Sequence, residues 1–453
     1  MFGSAIEPEI RELVAKRDFA TLKASLAEVQ DPDIAELLEA LPEEDRPIVF
    51  RLLTMDQAAE VFSLLPLESQ ELLIRRLSDA SVVTLLNEMS PDDRTELLEE
   101  LPGELAHRLL ASLPAQERQI AQQLLNYPED SVGRLMTPEY VAVHRDWPIQ
   151  QVLEHIRKVA PHKETVNDLY VVDEHGRLLD HVELQNVVLA DPQQKVEALM
   201  TGPVEEPALR AAQDQATSVE AFKKYDRHVL PVVDSRGVLV GIVTSDDVLD
   251  VQEEEDTEDF QKMAGVRALD EPYFQTTYWR MLHKRLPWLA LLLAAEFLTA
   301  KAIDEYIGVM GEQILLVVMF MPLVNASAGN AGSQMAGLAI RGLAVQEMEL
   351  GDWVRILGRE LRMGLSLGLA LVPLAWLAPM LFGQGWQVSL ALAVSLLAAV
   401  LVANLAGASI PLALKRLGLD PAVTSAPLIA SMMDVFSAVI YFGAVMIVFR
   451  LVL

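Results

Sequence analysis

Asp434 is the only charged side chain in an apolar segment of 28 residues, Ala422 to Phe449. As a helix that rises about 1.5 Å per residue, this segment is about 42 Å long and exceeds the hydrocarbon core of a bilayer, about 30 Å. Asp434 lies about 18 Å from its start, close to the expected membrane midplane. A carboxylate there costs at least about 2.5 kcal/mol, and no Lys or Arg is near in sequence. We predict that Asp434 contacts a passing cation; the alternative is a protonated Asp hydrogen-bonded between helices.

The charge of the chain is divided unevenly. Of its net charge of −29, residues 287–453 account for only −2, from ten acidic and eight basic residues. We interpret the strongly acidic first part as soluble and the second as embedded in a lipid bilayer. So strong an acidic balance argues against nucleic acid as a partner and favours attraction of divalent cations. The absence of Cys excludes thiolate metal sites and Cys nucleophiles.

Five apolar segments predict five membrane-spanning helices, at residues 286–306, 314–340, 361–382, 388–414 and 422–451. Basic residues cluster in alternate connections, where a cytoplasmic location is expected. They are Arg280, Lys284 and Arg285, then Arg341, Arg355, Arg359 and Arg362, then Lys415 and Arg416. We therefore predict a multi-pass protein of the inner (cytoplasmic) cell membrane, with a cytoplasmic acidic part and the C-terminus outside.

The N-terminal region carries a twelve-residue repeat. An apolar residue recurs at positions 41, 53, 65, 77, 89, 101 and 113, and each time Pro, Thr or Ser follows it. These residue types open helices, and acidic residues in the next turn favour the helix dipole. Twelve residues are enough for one short helix and its turn. The spacing predicts an α-solenoid in which neighbouring helices bury a shared core.

Residues 131–251 change to short β runs that alternate with helices, in two copies. The turn at residues 173–176 in the first copy returns at residues 234–237 in the second. In each copy a strand, an Asp-x-x-Gly turn and a second strand follow one another. This pattern resembles a tandem pair of cystathionine-β-synthase (CBS) domains, of α/β fold, which commonly bind adenine nucleotides.

The CBS resemblance implies a nucleotide site in the second copy, at the stretch GIVTSDDVL. Thr244 is then expected at the phosphates and Asp247 at the ribose hydroxyls of a nucleotide such as ATP. The first copy departs from the pattern, with Asn186 where the Asp is expected. A purely structural CBS pair is the alternative.

An acidic run, from Glu253 to Asp259, follows the second copy and precedes the apolar segments. Such runs are usually solvated linkers. Because like charges repel, divalent cations that bridge the run to other acidic residues would instead hold a compact state. The candidate regulatory metal ligands are Asp92, Asp93, Asp247, Asp250, Glu254, Glu255, Glu258 and Asp259.

The second apolar segment contains small and amide residues where bulky apolar ones are usual, between Pro322 and Gln334. Small residues permit close helix packing, and Asn side chains can ligate or hydrate a cation. In the last segment, Pro427 is expected to kink the helix and free carbonyl groups near Asp434. The candidate pore residues are Asp434, Asn325, Asn330 and Ala430. Tight helix packing alone is the alternative for the second segment.

The order of these parts resembles the MgtE family of magnesium channels. The most specific matches are AGNAGSQ at 328–334, DPAV at 420–423 before Asp434, and EDFQKMAGV at 258–266. The resemblance implies a homodimer with a pore on its two-fold axis, in which Asp434 of each chain holds hydrated Mg²⁺. It also implies cytosolic domains that bind Mg²⁺ and close the pore through a plug helix near residues 253–270. Glu296 and Lys301 depart from the family, and we expect them to pair on adjacent turns.

These features predict a multi-domain membrane protein and not an enzyme. Its expected parts are an N-terminal α-helical solenoid (1–129), tandem CBS domains (130–251), an acidic connecting or plug helix (252–285) and an all-α transmembrane domain of five helices (286–453). The predicted function is a Mg²⁺-selective, Mg²⁺-gated passive channel for Mg²⁺ uptake. The alternatives are a coupled divalent-cation exchanger and a membrane-anchored Mg²⁺ sensor.

Overall fold

A computed structural model describes residues 2–201, 208–269, 273, 276–310, 315–345 and 347–452. The chain forms two compact units, Met1–Gln252 and Glu253–Leu453. Helices and two small sheets make up the first unit, and helices alone make up the described part of the second. Each unit has its own hydrophobic core, so the two are described separately.

The N-terminal region is a series of short helices with regular starts. After position 54 a helix begins every twelve residues, at 55, 67, 79, 91, 103 and 115. The hydroxyl groups of Thr54, Ser78 and Ser90 cap their helices by accepting a hydrogen bond from the backbone N–H three residues on. The helices are α1 Phe2–Lys16, α2 Phe19–Leu26, α3 Asp31–Ala40, α4 Arg46–Phe50, α5 Met55–Ser63, α6 Leu67–Arg76, α7 Asp79–Glu88, α8 Pro91–Glu100, α9 Gly103–Ser112, α10 Ala115–Leu125 and α11 Val132–Leu135.

Alternate helices of this region pack on one another. Helix α3 contacts α5, α5 contacts α7, and α8 contacts α10. The apolar residue that ends each repeat is buried at five of the seven positions, 41, 65, 89, 101 and 113, in one continuous core. The repeat therefore sets both where the helices begin and which residues they bury.

The two CBS copies share one topology. The elements of the first copy are β1 Val141–His144, α12 Ile149–Val159, β2 Asp168–Val172, β3 Leu178–Glu183 and α13 Leu184–Leu189. Those of the second are β4 Leu209–Arg210, α14 Ala216–Tyr225, β5 Val229–Val233, β6 Leu239–Thr244 and α15 Ser245–Met263. In each sheet the first strand pairs parallel and the third antiparallel to the central strand.

The predicted Asp-x-x-Gly turns are present in both copies. Asp173 accepts hydrogen bonds from the backbone N–H groups of His175 and Arg177, and Asp234 does the same in the second copy. The fourth residue of each turn is a Gly with positive φ, 76° and 80°, which other residues rarely adopt. Helix α15 begins at residue 245, so the acidic run continues the last CBS helix and is not a separate helix that begins at 252.

The described part of the second unit contains six further α-helices. They are α16 Tyr278–Met310, α17 Leu315–Val318, α18 Met321–Ala344, α19 Trp353–Leu381, α20 Trp386–Arg416 and α21 Ala426–Val452. Within the described residues, four of them (α16, α19, α20 and α21) are long and apolar enough to cross a membrane. Helix α18, which overlaps the second predicted span, is not among them, and Gly, Asn, Ser and Gln replace apolar residues along it. Five crossings therefore stay a prediction, and Ile314, where the second was expected to begin, lies outside the described residues.

Small residues let α18, α20 and α21 approach closely. A Cβ atom at Gly407 of α20 would collide with the carbonyl oxygen of Gly332 and would lie 3.1 Å from the backbone N of Ala336, both on α18. A Cβ atom at Gly332 would in turn lie 2.9 Å from Cγ2 of Ile429 on α21. The small residues of the stretch 322–334 therefore have a packing role, and this does not exclude a role for its amides.

We expect Gly407→Ala to destabilise the second unit, because the added methyl group meets backbone atoms of α18 that cannot move aside singly. Overpacking of this kind costs about 1–3 kcal/mol. The measurement is the thermal unfolding temperature of the full chain in detergent. Gly358→Ala in α19 is the matched control, because no atom lies within 4 Å of a Cβ built there. Equal unfolding temperatures for the two variants would contradict the close approach of α18 and α20.

Candidate metal sites

Asp434 lies where α21 meets α16 and α18. Its carboxyl group is in hydrogen-bonding contact with the carboxyl group of Glu296 on α16 and with the amide of Asn325 on α18. Both helices pack on α21. Asp434 is half-buried, so one side of the carboxylate stays accessible within this unit. The structure thus brings together two of the predicted pore residues, Asp434 and Asn325, and adds Glu296.

The side-chain amide of Asn325 forms hydrogen bonds through both its oxygen and its nitrogen. Its Oδ1 accepts a hydrogen bond of 2.7 Å from the hydroxyl group of Ser437, one turn beyond Asp434 on α21. Its N–H group therefore faces the Asp434 carboxylate. In this arrangement Asn325 orients Asp434, and the oxygen atoms free to bind a cation belong to the two carboxylates.

Ala430 and Asn330 occupy different surroundings. Ala430 packs on Gly329 of α18, where an added Cβ would lie 3.6 Å from its Cα. Asn330 is exposed on α18. It follows Asn325 by five residues, about 140° round the helix, so it lies away from Asp434 within one chain.

The start of α21 differs from the prediction. The helix begins at residue 426, so Pro427 lies in its first turn, where Pro is tolerated, and does not kink it. Before it, Pro421–Val423 form a 3-10 turn whose first backbone N–H donates to the side chain of Asp420. Asp434 is therefore about 12 Å from the start of its helix, and not about 18 Å as the sequence suggested.

The end of the acidic helix α15 is tied to this turn. Lys262 forms salt bridges of 2.8 Å with Glu258, four residues before it, and of 2.8 Å with Asp420. Burial lowers the pKa of Lys262, but the hydrogen bonds with Asp420 and Glu258 outweigh it, so the pKa is raised overall. Burial and then repulsion by Asp420 raise the pKa of Asp259. Glu254 is exposed and Glu255 half-buried on the same helix.

A second group of acidic residues lies in the first unit. Asp92 and Asp93 come from the first turn of α8, and Asp247 from the first turn of α15. Glu164 follows α12, and its pKa is raised to about 7 by burial and then by repulsion from Asp246. We call the following six residues the acidic cluster: Glu60 of α5, Asp92, Asp93, Glu164, Asp246 and Asp247. Asp250 is exposed on α15.

Asp92, which is buried, and Asp247, which is half-buried, form the centre of the acidic cluster. Asp92 is 8% exposed, and its Oδ1 has no hydrogen-bond partner. Burial raises the pKa of both carboxyl groups, and Asp92 raises that of Asp247 further by repulsion. Within the described residues, no three His, Asp or Glu side chains have the geometry of a formed metal site. The cluster has the charge and oxygen chemistry that Mg²⁺ prefers, since Mg²⁺ binds one or two carboxylates and keeps several waters.

The two residues of the predicted nucleotide site contact each other. The hydroxyl group of Thr244, at the end of β6, donates a hydrogen bond of 2.6 Å to Oδ2 of Asp247. Thr244 is buried, and Asp247 is half-buried. Asp247 therefore belongs both to the hydrogen-bonded pair with Thr244 and to the acidic cluster.

The sequence analysis did not identify several residues of the candidate sites. Glu296 was expected to pair with Lys301, but Lys301 is exposed and Glu296 contacts Asp434. Five residues separate the pair by about 140° round a helix, so the expectation was geometrically wrong. Glu164 and Glu60 come from separate elements and carry no local signal. Lys262 did carry one, because it is the only basic residue in the acidic segment 252–266.

Comparison with known proteins covers each part of the chain. The MgtE family, described as a divalent cation transporter, matches residues 321–444. The MgtE intracellular N domain matches residues 30–130. The CBS domain matches residues 132–191 and 196–254. The predicted fold class is thereby confirmed in its N domain, its tandem CBS domains and its apolar C-terminal helices.

Two full-length relatives are similar to the chain. It is 36% identical over 436 residues to the magnesium transporter MgtE of Thermus thermophilus, across 95% of this chain and 96% of that protein. It is 33% identical over 433 residues to the magnesium transporter MgtE of Bacillus subtilis, across 94% and 93%.

Two solved structures match the first part. The cytosolic domain of the Mg²⁺ channel MgtE in complex with ATP has a TM-score of 0.52 and 37% identity, over 54% of this chain and 99% of that one. The soluble part of a magnesium transporter, 21% identical and with a TM-score of 0.52, has the same fold over 56% of this chain and 99% of that one. The chain therefore belongs to the MgtE family of divalent cation transporters, and it is a membrane protein with an intracellular N-terminal domain.

Proposed function

We propose that this protein is a Mg²⁺-selective channel that conducts Mg²⁺ passively into the cell and closes when internal Mg²⁺ is high. Its place is the cytoplasmic membrane, with the C-terminus outside. The observation that carries the proposal is Asp434 on the apolar helix α21, in contact with Glu296 and Asn325. A carboxylate among apolar helices is costly unless a cation or a proton accompanies it. The relatives named as magnesium transporters identify the cation.

We propose that the working unit is a homodimer in the lipid bilayer, with one Asp434 from each chain along the pore. Asn330 supports this arrangement, because it is exposed on α18 and so is accessible to a second copy. Mg²⁺ sheds its water reluctantly, so a pore need not strip the ion. Carboxylates and amides can instead bind the water shell.

We propose that the acidic cluster is the sensor for internal Mg²⁺. Asp92 is buried and Asp247 half-buried, and these two and Glu164 are repelled by neighbouring acidic residues, which destabilises the compact state when all are ionised. A bound divalent cation removes this repulsion and favours the compact state. In the proposed closed channel, divalent cations also bind to acidic residues further along α15. These are Asp250, Glu254, Glu255, Glu258 and Asp259.

We also propose that the second CBS copy binds ATP through Thr244 and Asp247. The solved cytosolic domain of a relative in complex with ATP supports this proposal. The hydrogen bond between Thr244 and Asp247 places a hydroxyl group beside a carboxylate, which suits contacts to phosphate and ribose.

Asp434→Asn should lower Mg²⁺ flux into proteoliposomes at least about tenfold, because the loss of about 1.4 kcal/mol of attraction gives that factor. The flux assay uses the full chain with an inward-negative potential. Asp304→Asn is the control, since Asp304 is exposed on α16. Unchanged flux in Asp434→Asn would remove Asp434 from the ion path, and flux that requires a counter-ion gradient would indicate an exchanger.

In the absence of Mg²⁺, the first unit should become more stable as the pH falls from 8 to 5.5. The pKa of Glu164 is about 7 in the fold, above its unfolded value, so the native state binds more protons and loses stability as the pH rises through this range. At pH 8, Mg²⁺ should raise the unfolding temperature of the full chain by roughly 5 °C, and at pH 5.5 by much less.

Asp92→Asn should weaken the dependence of stability on pH and the effect of Mg²⁺ on the unfolding temperature, because it removes the central charge of the acidic cluster. Asp79→Asn in the first turn of α7 is the control, since Asp79 is exposed and lies outside the cluster. An unfolding temperature that responds to Mg²⁺ equally in the parent and in Asp92→Asn would contradict the assignment of the sensor.

Asp247→Ala should weaken ATP binding to the full chain at least about tenfold in a calorimetric titration, because the ribose hydroxyl groups lose a charged acceptor. Asp250→Ala, on the next turn of α15, is the control. No detectable ATP binding by the parent protein would remove the nucleotide proposal altogether.

A further inference from the structure

Glu296 is a second carboxylate at the proposed ion path. It lies within the apolar stretch LLLAAEFLTA of α16 and is half-buried. Its carboxyl group meets that of Asp434 on α21. Two carboxylates in contact within apolar helices repel each other strongly, because the surroundings screen them poorly. Such a pair is stable only when a shared proton or a cation accompanies it.

Protein side chains do not supply that positive charge. Lys301, the basic residue of α16 nearest to Glu296 in sequence, is exposed and lies about 140° round the helix from it. In the described part of the chain, neither Glu296 nor Asp434 forms a salt bridge with Lys or Arg. The pair therefore has a net charge of −2 when both groups are ionised.

The contact follows from the register of two parallel helices. Ten residues after Glu296, the ring of Tyr306 stacks on that of Phe442, eight residues after Asp434, with centroids 5.2 Å apart. The second contact follows the first in the chain direction of both α16 and α21, so the two helices are parallel. Asn325 fixes Asp434 from the side of α18. The position of Glu296 is thus set by helix packing and is not an accident of one flexible side chain.

We propose that Glu296 and Asp434 of the same chain bind the transported divalent cation together, so that Glu296 sets the preference for divalent over monovalent ions. This inference rests on the proposed function of Asp434. Two carboxylates match the charge of one divalent cation, whereas a monovalent ion leaves one negative charge in apolar surroundings. Mg²⁺ commonly binds through one or two carboxylates and keeps its other waters. Each chain therefore contributes two carboxylates that can bind a hydrated ion.

The test combines binding and flux on the full chain. Mn²⁺ is the spectroscopic probe, and its binding to protein in lipid nanodiscs is followed by electron paramagnetic resonance. Flux of Mg²⁺ and of Na⁺ is measured in proteoliposomes. The variants are Glu296→Gln, Asp434→Asn and the control Glu305→Gln, which removes an exposed carboxylate from the same helix. Glu296→Met removes the same charge with an apolar side chain of similar length, and it replaces Glu296→Gln if that variant does not fold.

Glu296→Gln should weaken Mn²⁺ binding at least about tenfold, as loss of a group at a metal site typically does. It should also lower the ratio of Mg²⁺ to Na⁺ flux by a similar factor, while Glu305→Gln matches the parent. Binding and selectivity equal to those of Glu305→Gln would overturn the inference, and the proposed function would survive if Asp434→Asn still abolished flux. Weakened Mn²⁺ binding in both Glu296→Gln and Asp434→Asn, without Mg²⁺ flux in the parent, would support the shared site and overturn the channel.

Discussion

Carboxylates that lie close together, with no salt bridge to Lys or Arg in the described residues, are the constraint on which the rest of this molecule depends. In the second unit Asp434 faces another carboxyl group, from Glu296. In the first unit Asp92 and Asp247 are raised in pKa by burial and by repulsion from neighbouring acidic residues, and Glu164 is repelled by other acidic residues. Each group is costly as an isolated charge and favourable around a divalent cation. The proposed transport and sensing of Mg²⁺ both depend on this property.

Helix packing is what makes the pair of carboxylates in the second unit reproducible. Gly332 and Gly407 let α18 and α20 approach to backbone contact, and α18 carries Asn325 against α21. The small residues of α18 therefore pack closely, and the same helix also places an amide beside Asp434, although the sequence offered close packing and a polar role as alternatives. Small residues bring the amide near Asp434, and the amide then fixes the carboxylate.

Local patterns predicted local structure well. The twelve-residue repeat predicted where helices begin, and the Asp-x-x-Gly turns predicted the two sheets, because capping and positive φ are decided within a few residues. The contact between Glu296 and Asp434 spans 138 positions and depends on how two helices pack, which no local spacing records. The error over Pro427 has the same origin. Its effect depended on where α21 begins, and the Asp420 turn delays that start.

Asp420 links the acidic helix α15 to α21, the helix that carries Asp434. It caps the turn before α21 through the backbone N–H of Ala422, and it holds Lys262 at the end of α15. Asp259 lies close enough to Asp420 to be repelled by it. A cation bound beside Asp259 would compete with Lys262 for Asp420, and so would act on the first turn of α21. Since Asp434 lies two turns further along the same rigid helix, the proposed gate has a short physical path to the proposed ion site.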